Sequence, residues 1–166
     1  LGVMGSPMCK NLLKNKKWHI IVNDLDNSKE KELEKNGASI AKNINELFDV
    51  ADMIITCLPG GDFVREIYLG EKKIVSEINP DKLIIDMSTS QPDLMIELNK
   101  LITKKGSFFA DAPIARTRQA AKDGTLAIMV GSKKQVYNRI FPILEYMGKD
   151  IMPVSYTHLR AHETCT

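Results

Sequence analysis

Short, continuous apolar runs recur along this chain: His19-Ile20-Ile21-Val22, Met53-Ile54-Ile55-Thr56-Cys57, Leu83-Ile84-Ile85-Asp86, Phe108-Phe109-Ala110 and Leu126 to Val130. None alternates apolar with polar, so each reads as a strand buried on both faces, the habit of parallel sheets. Helix-patterned segments separate them. Ala38 to Ala41 adds a short strand, and Asp150 to Pro153 begins one more. Strands alternating with helices predict an α/β fold with a right-handed, doubly wound, mostly parallel sheet.

The helices have their own punctuation. Pro7 suits the first turn of a helix reaching Lys16, with Met8, Cys9, Leu12 and Leu13 as its apolar stripe. Asn27 or Ser28 caps a helix through Lys35, stopped at Asn36-Gly37. Asn43 and Glu46 have capping-box spacing ahead of a helix to Val50. Leu58-Pro59-Gly60-Gly61 breaks the chain before a helix at Phe63 to Leu69. Ser90 and Asp93 start a long helix to Lys104 that Gly106 ends. Asp111 to Leu126 reads as a loop. Lys133 to Met147 reads as a helix kinked or restarted at Pro142, with Gly148 closing it.

Length and charge bound the function. A chain of 166 residues is one domain or slightly more. No stretch approaches the ~18–20 apolar residues of a membrane span. A net charge of +2 argues against nucleic acid as a partner, and Lys14, Lys16 and Lys17 read as a solvated helix end. Cys9, Cys57 and Cys165 form no C-x-x-C pair. With no secretory signal in view they read as free thiols of a cytoplasmic protein. Ser155 to Thr166 lacks the Lys, Asn and Ile common before it. We read 154–166 as an adapter-derived tail, the natural sequence stopping near Pro153. Its His158, His162 and Cys165 invite a metal reading, but no fourth ligand has a fixed place, and no metal is expected.

Chemistry enters at the start of the chain. Gly2-Val3-Met4-Gly5 is the back half of a G-x-G-x-x-G turn, followed by a helix, a strand and Asp24 at its end. Glycines admit a pyrophosphate to the backbone, a helix N-terminus offers N–H groups, and a carboxylate about 20 residues on grips ribose hydroxyls. The same residues also fit an ordinary turn and helix start with an aspartate on a loop. Leu58-Pro59 ends a central strand, where ligands bind in open sheets or where a plain turn leads to a helix. Ser88 and Thr89 offer hydroxyls at the end of another strand, or a simple helix entry.

Taken together, Leu1-Gly-Val-Met-Gly5, Leu58-Pro59, Ile85-Asp-Met-Ser-Thr89, Asp111-Ala-Pro113 and Gly124-Thr-Leu-Ala-Ile-Met-Val-Gly131 resemble the β-hydroxyacid dehydrogenases. That family includes 3-hydroxyisobutyrate dehydrogenase and shares its cofactor domain with 6-phosphogluconate dehydrogenase. The resemblance covers nearly all of Leu1 to Pro153. It implies a Rossmann domain at 1–153 with its first strand missing, NAD or NADP as cofactor, and a small hydroxy acid or aldehyde as substrate. It further implies a homo-oligomeric complete protein and a catalytic lysine beyond Pro153, so that this piece alone is inactive. Gly2, Val3, Met4, Gly5, Asp24, Leu58, Pro59 and Thr89 then become cofactor contacts. NADP-binding relatives carry a basic run where this chain has Asp24-Leu25-Asp26, so NAD is expected.

The substrate stretch departs from the family. Relatives read Val-Ser-Gly-Gly where this chain has Ile114-Ala115-Arg116-Thr117. Arg116 could clamp a carboxylate or sulfonate bidentately, or be a solvated loop cation. Relatives that reduce sulfolactaldehyde carry a similar Gly-Arg-Thr, which makes that substrate an alternative. Ala115, Arg116 and Thr117 are the candidate substrate contacts. A non-catalytic dinucleotide-binding module is the reading from another class.

Overall fold

A computed structural model describes residues 1–71 and 74–154. In chain order these are α1 (Gly5–Leu12), β1 (Ile21–Val22), α2 (Asn27–Glu34), β2 (Ser39–Ile40), α3 (Ile44–Val50), β3 (Met53–Thr56), α4 (Gly61–Leu69), α5 (Ile74–Glu77) and β4 (Leu83–Asp86). Then come α6 (Pro92–Lys104), β5 (Phe108–Asp111), β6 (Ile114–Ala115), α7 (Arg118–Asp123), β7 (Leu126–Gly131), α8 (Lys134–Leu144) and β8 (Gly148–Val154). The tail with His158, His162 and Cys165 lies outside the described residues.

Every residue of β4 is buried, as a continuous apolar run requires. It pairs in parallel with β3 and β5, in a register running from Met53, Leu83 and Phe108 to Thr56, Asp86 and Asp111. Alternation then sorts the side chains. Ile85, Met87 and Ala110 pack with Met8, Leu12, Val136 and Ile140 on one face. Ile54, Ile84 and Phe109 pack with Val64, Tyr68 and Leu98 on the other. The result is the α/β/α layering expected of a doubly wound sheet. β1 and β2 form a separate parallel pair, joined to α1 through Cys9, Leu13, Val22, Leu33 and Ala38.

The stretch read as a loop between Asp111 and Leu126 holds β6 and α7, and β7 runs antiparallel to both β5 and β6. Arg116 to Thr125 is shorter than the dozen or so residues a parallel crossover takes, so the chain turns back on itself. β8 then returns parallel to β7. Two caps also differ from expectation. Asp26, not Asn27 or Ser28, caps α2 by accepting the Ser28 N–H at 3.0 Å. Gln91, not Ser90, is the N-cap of α6, because Pro92 takes the first helical position and holds the residue before it extended. Asn43 caps α3 as its spacing suggests, accepting the Glu46 N–H at 2.9 Å.

Candidate functional site

Contacts join the cofactor candidates in a continuous line. The Leu1 ammonium donates to Asp24 Oδ2 at 2.5 Å, so the carboxylate after β1 lies against the start of the glycine turn. Burial alone would raise the Asp24 pKa. The N-terminal ammonium, the Asp26 N–H and Lys29, 3.8 Å away, bring it below the usual carboxylate range. At the other end of the turn, a Cβ placed on Gly5 would meet Cys57 Cβ at 3.9 Å, next to Leu58. Leu58 N–H donates to Ser88 Oγ at 2.9 Å, and Thr89 follows, exposed. The ends of β1, β3 and β4 are thereby tied to one turn.

The turn suits a phosphate. Ser6 N–H bonds the Gly2 carbonyl at 3.0 Å and opens α1. The N–H groups of Val3, Met4 and Gly5 bond to no described residue. A Cβ on Gly2 would meet nothing within 4 Å, and the contact at Gly5 is an ordinary one. Packing therefore demands glycine at neither place; what glycine leaves is an unobstructed approach to free N–H groups at a helix start. A dinucleotide fits this geometry, with Asp24 placed for ribose hydroxyls.

Behind this line is a polar cluster that sequence reasoning did not assign. Asp86 is fully buried and its Oδ1 accepts from Thr56 Oγ1 at 2.6 Å and Ser88 Oγ at 2.7 Å. Asp86 Oδ2 and Ser90 Oγ are buried and have no hydrogen-bond partner among the described residues. Ser88, read as a hydroxyl facing the cofactor, is turned inward; only Thr89 of that pair is exposed. The signal available was an aspartate and a threonine closing two buried strands, but their pairing depends on register.

Asp111 is Asp86's partner across β4 and β5, and its carboxyl takes no hydrogen bond from a described residue. Burial, then the Asp86 charge, push its pKa up to about 7. Burial pushes Asp86 up as well, against the pull of the Thr56 and Ser88 hydroxyls. The folded state thus holds the Asp111 proton more tightly than the unfolded chain does. The stability linked to this group is full below about pH 4 and lost as pH rises through about 7. Asp111→Asn should remove that loss. Thermal melts from pH 4 to 8 are expected to show the variant gaining on the parent up to pH 7, by on the order of 2 kcal/mol, then holding level. A gap that does not change with pH sinks the idea.

The substrate candidates lie elsewhere in the chain's contacts. Ala115, Arg116 and Thr117 are exposed. Thr117 caps α7, its hydroxyl accepting the Ala120 N–H at 3.3 Å. Arg116 Nη1 donates to the Thr125 carbonyl at 3.0 Å, and Nη2 pairs with the Asp150 carboxylate. Its φ is 93°, a backbone state that favours glycine.

A doubly wound domain whose glycine turn, Asp24 and strand ends meet in this way is a dinucleotide-binding domain. The comparisons agree. A family model described as the NAD binding domain of 6-phosphogluconate dehydrogenase matches residues 1–157. Mitochondrial 3-hydroxyisobutyrate dehydrogenase of Mus musculus is 36% identical over 152 residues, covering 92% of this chain and 45% of that protein. For 3-sulfolactaldehyde reductase of Escherichia coli (strain K12) the identity is 37% over 155 residues, covering 92% and 51%. A solved structure of Mycobacterium tuberculosis 3-hydroxyisobutyrate dehydrogenase with L-serine superposes with a TM-score of 0.83 at 30% identity, covering 93% and 52%. The chain belongs to the β-hydroxyacid dehydrogenase family, through its NAD-binding domain. It spans about half the length of the curated relatives it matches.

Proposed function

We propose that the complete protein is an NAD-dependent oxidoreductase that interconverts a small 3-hydroxy acid and its semialdehyde, as a 3-hydroxyisobutyrate dehydrogenase does. The line of contacts from Asp24 through the glycine turn to Leu58 and Ser88 carries the reading. Gly2, Val3, Met4 and Gly5 hold the pyrophosphate, Asp24 the ribose hydroxyls, and Leu58, Pro59 and Thr89 border the nicotinamide. The cofactor, when bound, supplies the hydride acceptor or donor. Arg116 and Thr117 take the acid group. The family's lysine, expected beyond Pro153, moves the hydroxyl proton. Arg116 also favours a second substrate, 3-sulfolactaldehyde, since a guanidinium pairs with a sulfonate as well as with a carboxylate.

The test is the complete protein assayed for NAD⁺ reduction with 3-hydroxyisobutyrate and for NADH oxidation with 3-sulfolactaldehyde. Turnover of neither, at concentrations that saturate relatives, sinks the reading. Cofactor choice is tested in the same preparation. Two unit charges ~4 Å apart interact by ~4 kcal/mol at an effective dielectric near 20. Solvent and Lys29 reduce this, but Asp24 still opposes a 2′-phosphate. A titration should show NAD⁺ bound about tenfold or more tighter than NADP⁺, since each ~1.4 kcal/mol is a factor of ten. Equal affinities, or a preference for NADP⁺, overturn it.

A further inference from the structure

A buried carboxylate needs a reason. β4 is otherwise Leu83, Ile84 and Ile85, all buried and aliphatic. Asp86 instead sits fully buried, one of its oxygens without a partner among the described residues, an expensive arrangement. What it gains is convergence. Thr56 comes from β3 and Ser88 from the turn after β4, and both hydroxyls donate to the same oxygen, Asp86 Oδ1. With the Thr56 proton committed to Asp86, the contact of 3.1 Å between Thr56 Oγ1 and Tyr68 OH must be donated by the tyrosine of α4. Ser88 Oγ, its own proton committed, accepts from the Leu58 N–H at 2.9 Å. Leu58 is followed by Pro59, which has no N–H. The Leu58 N–H is therefore the last backbone donor before the break at Gly60-Gly61, and through it the end of β4 holds that loop.

We propose that Asp86 is a positioning residue for the nicotinamide half of the cofactor, acting through Ser88 on the Leu58 peptide. This rests on the reading of Leu58, Pro59 and Thr89 as nicotinamide-side contacts. The chain Leu58 N–H to Ser88 to Asp86 sets the distance between the loop after β3 and the turn after β4, the two walls between which the ring lies. The adenosine half depends on other residues, Gly2 to Gly5 and Asp24, and among the described residues no hydrogen bond joins these to Leu58, Ser88 or Asp86.

Two ligands separate the halves: NAD⁺, and ADP-ribose, which lacks the nicotinamide ring. In the complete protein, Ser88→Ala breaks the link to Leu58 and leaves the Thr56–Asp86 bond in place. Calorimetric titration should show NAD⁺ affinity reduced about tenfold and ADP-ribose affinity unchanged, as expected for one lost buried hydrogen bond. Ser88→Thr keeps the hydroxyl and should bind NAD⁺ like the parent. Asp86→Asn keeps an oxygen acceptor for both hydroxyls and should bind NAD⁺ like the parent, whereas Asp86→Ala removes it and should weaken NAD⁺ selectively, as Ser88→Ala does. ADP-ribose binding reports in each case that the fold is intact. Equal losses for both ligands, or no loss for either, overturn the positioning role and return the cluster to fold support. A parent protein that binds neither ligand overturns instead the cofactor reading beneath it.

Discussion

Arg116→Ala in the complete enzyme is expected to raise KM for the acid substrate by roughly 10- to 100-fold, from the loss of a charge-assisted pair of ~1.5–3 kcal/mol. NAD⁺ affinity should stay where it is, because no contact links Arg116 to the Asp24–Gly5–Leu58 line. The structure adds a competitor. Arg116 is already paired with Asp150, and a substrate anion must displace or share that partner. The exchange is affordable: both side chains are nearly half exposed, and exposed pairs contribute only ~0–1 kcal/mol. The bulge at Leu126/Ala127 matters here, since it brings Asp150 rather than Lys149 opposite Ala127. A second variant separates clamp from backbone. At φ 93° an alanine keeps the strain of the arginine, whereas Arg116→Gly relieves ~1 kcal/mol or more. Both variants should lose substrate affinity alike, while the glycine variant melts higher than the alanine one. Steady-state kinetics in which neither variant changes KM or kcat/KM return Arg116 to a solvated loop cation.

How far the sequence reached depended on the range of each signal. β3, β4 and β5 were legible because a strand buried on both faces writes its burial into consecutive residues. Direction is not written there: Leu126 to Val130 reads the same whether it pairs parallel or antiparallel, and only the short Arg116 to Thr125 connection decides. β6 is two residues long and exists by pairing with β7, so Ile114-Ala115 carries no periodicity to find. Ser90 looked like a cap, but Pro92 outweighs it by fixing its own φ and constraining Gln91. At the site, Gly2, Gly5 and Asp24 could be put forward as candidates from spacing, because a turn, a helix and a strand set their separation locally. The Thr56, Asp86 and Ser88 cluster was not. Thr56 and Asp86 meet through the β3–β4 register, which no local pattern encodes. Asp111 owes its raised proton affinity first to burial and then to Asp86, set beside it by the same long-range pairing.

An apolar strand of about five residues, ending in glycine and fused ahead of Leu1, is expected to change stability more than any point substitution. Ahead of β6 the parallel strands fall into two sets, β2–β1 and β3–β4–β5, with no described strand joining β1 to β3. In β1 the carbonyls of Ile20 and Val22 serve β2, and in β3 those of Asp52 and Thr56 serve β4. Alternation in a parallel ladder turns the backbone of Ile21, and of Met53 and Ile55, to the opposite edges, where no described strand meets them. Ile20, Met53, Ile55 and Met4 border the same apolar cluster. A strand filling the slot would bury about four apolar side chains at ~1.5–3 kcal/mol each, or ~6–12 kcal/mol. That is large against a typical total of ~5–15 kcal/mol. It would also cover two edges that otherwise invite pairing between chains. The fusion removes the Leu1 ammonium, which pairs with Asp24 Oδ2, on the carboxylate proposed for the ribose hydroxyls. It also supplies the front of the phosphate turn. Residues 1–154 alone should therefore melt broadly, aggregate and bind NAD⁺ weakly. The fused form should melt cooperatively at a higher temperature and bind NAD⁺ tightly. A cooperative transition and equal NAD⁺ affinity in the unfused chain would show that α1 and the flanking side chains close the slot without a strand.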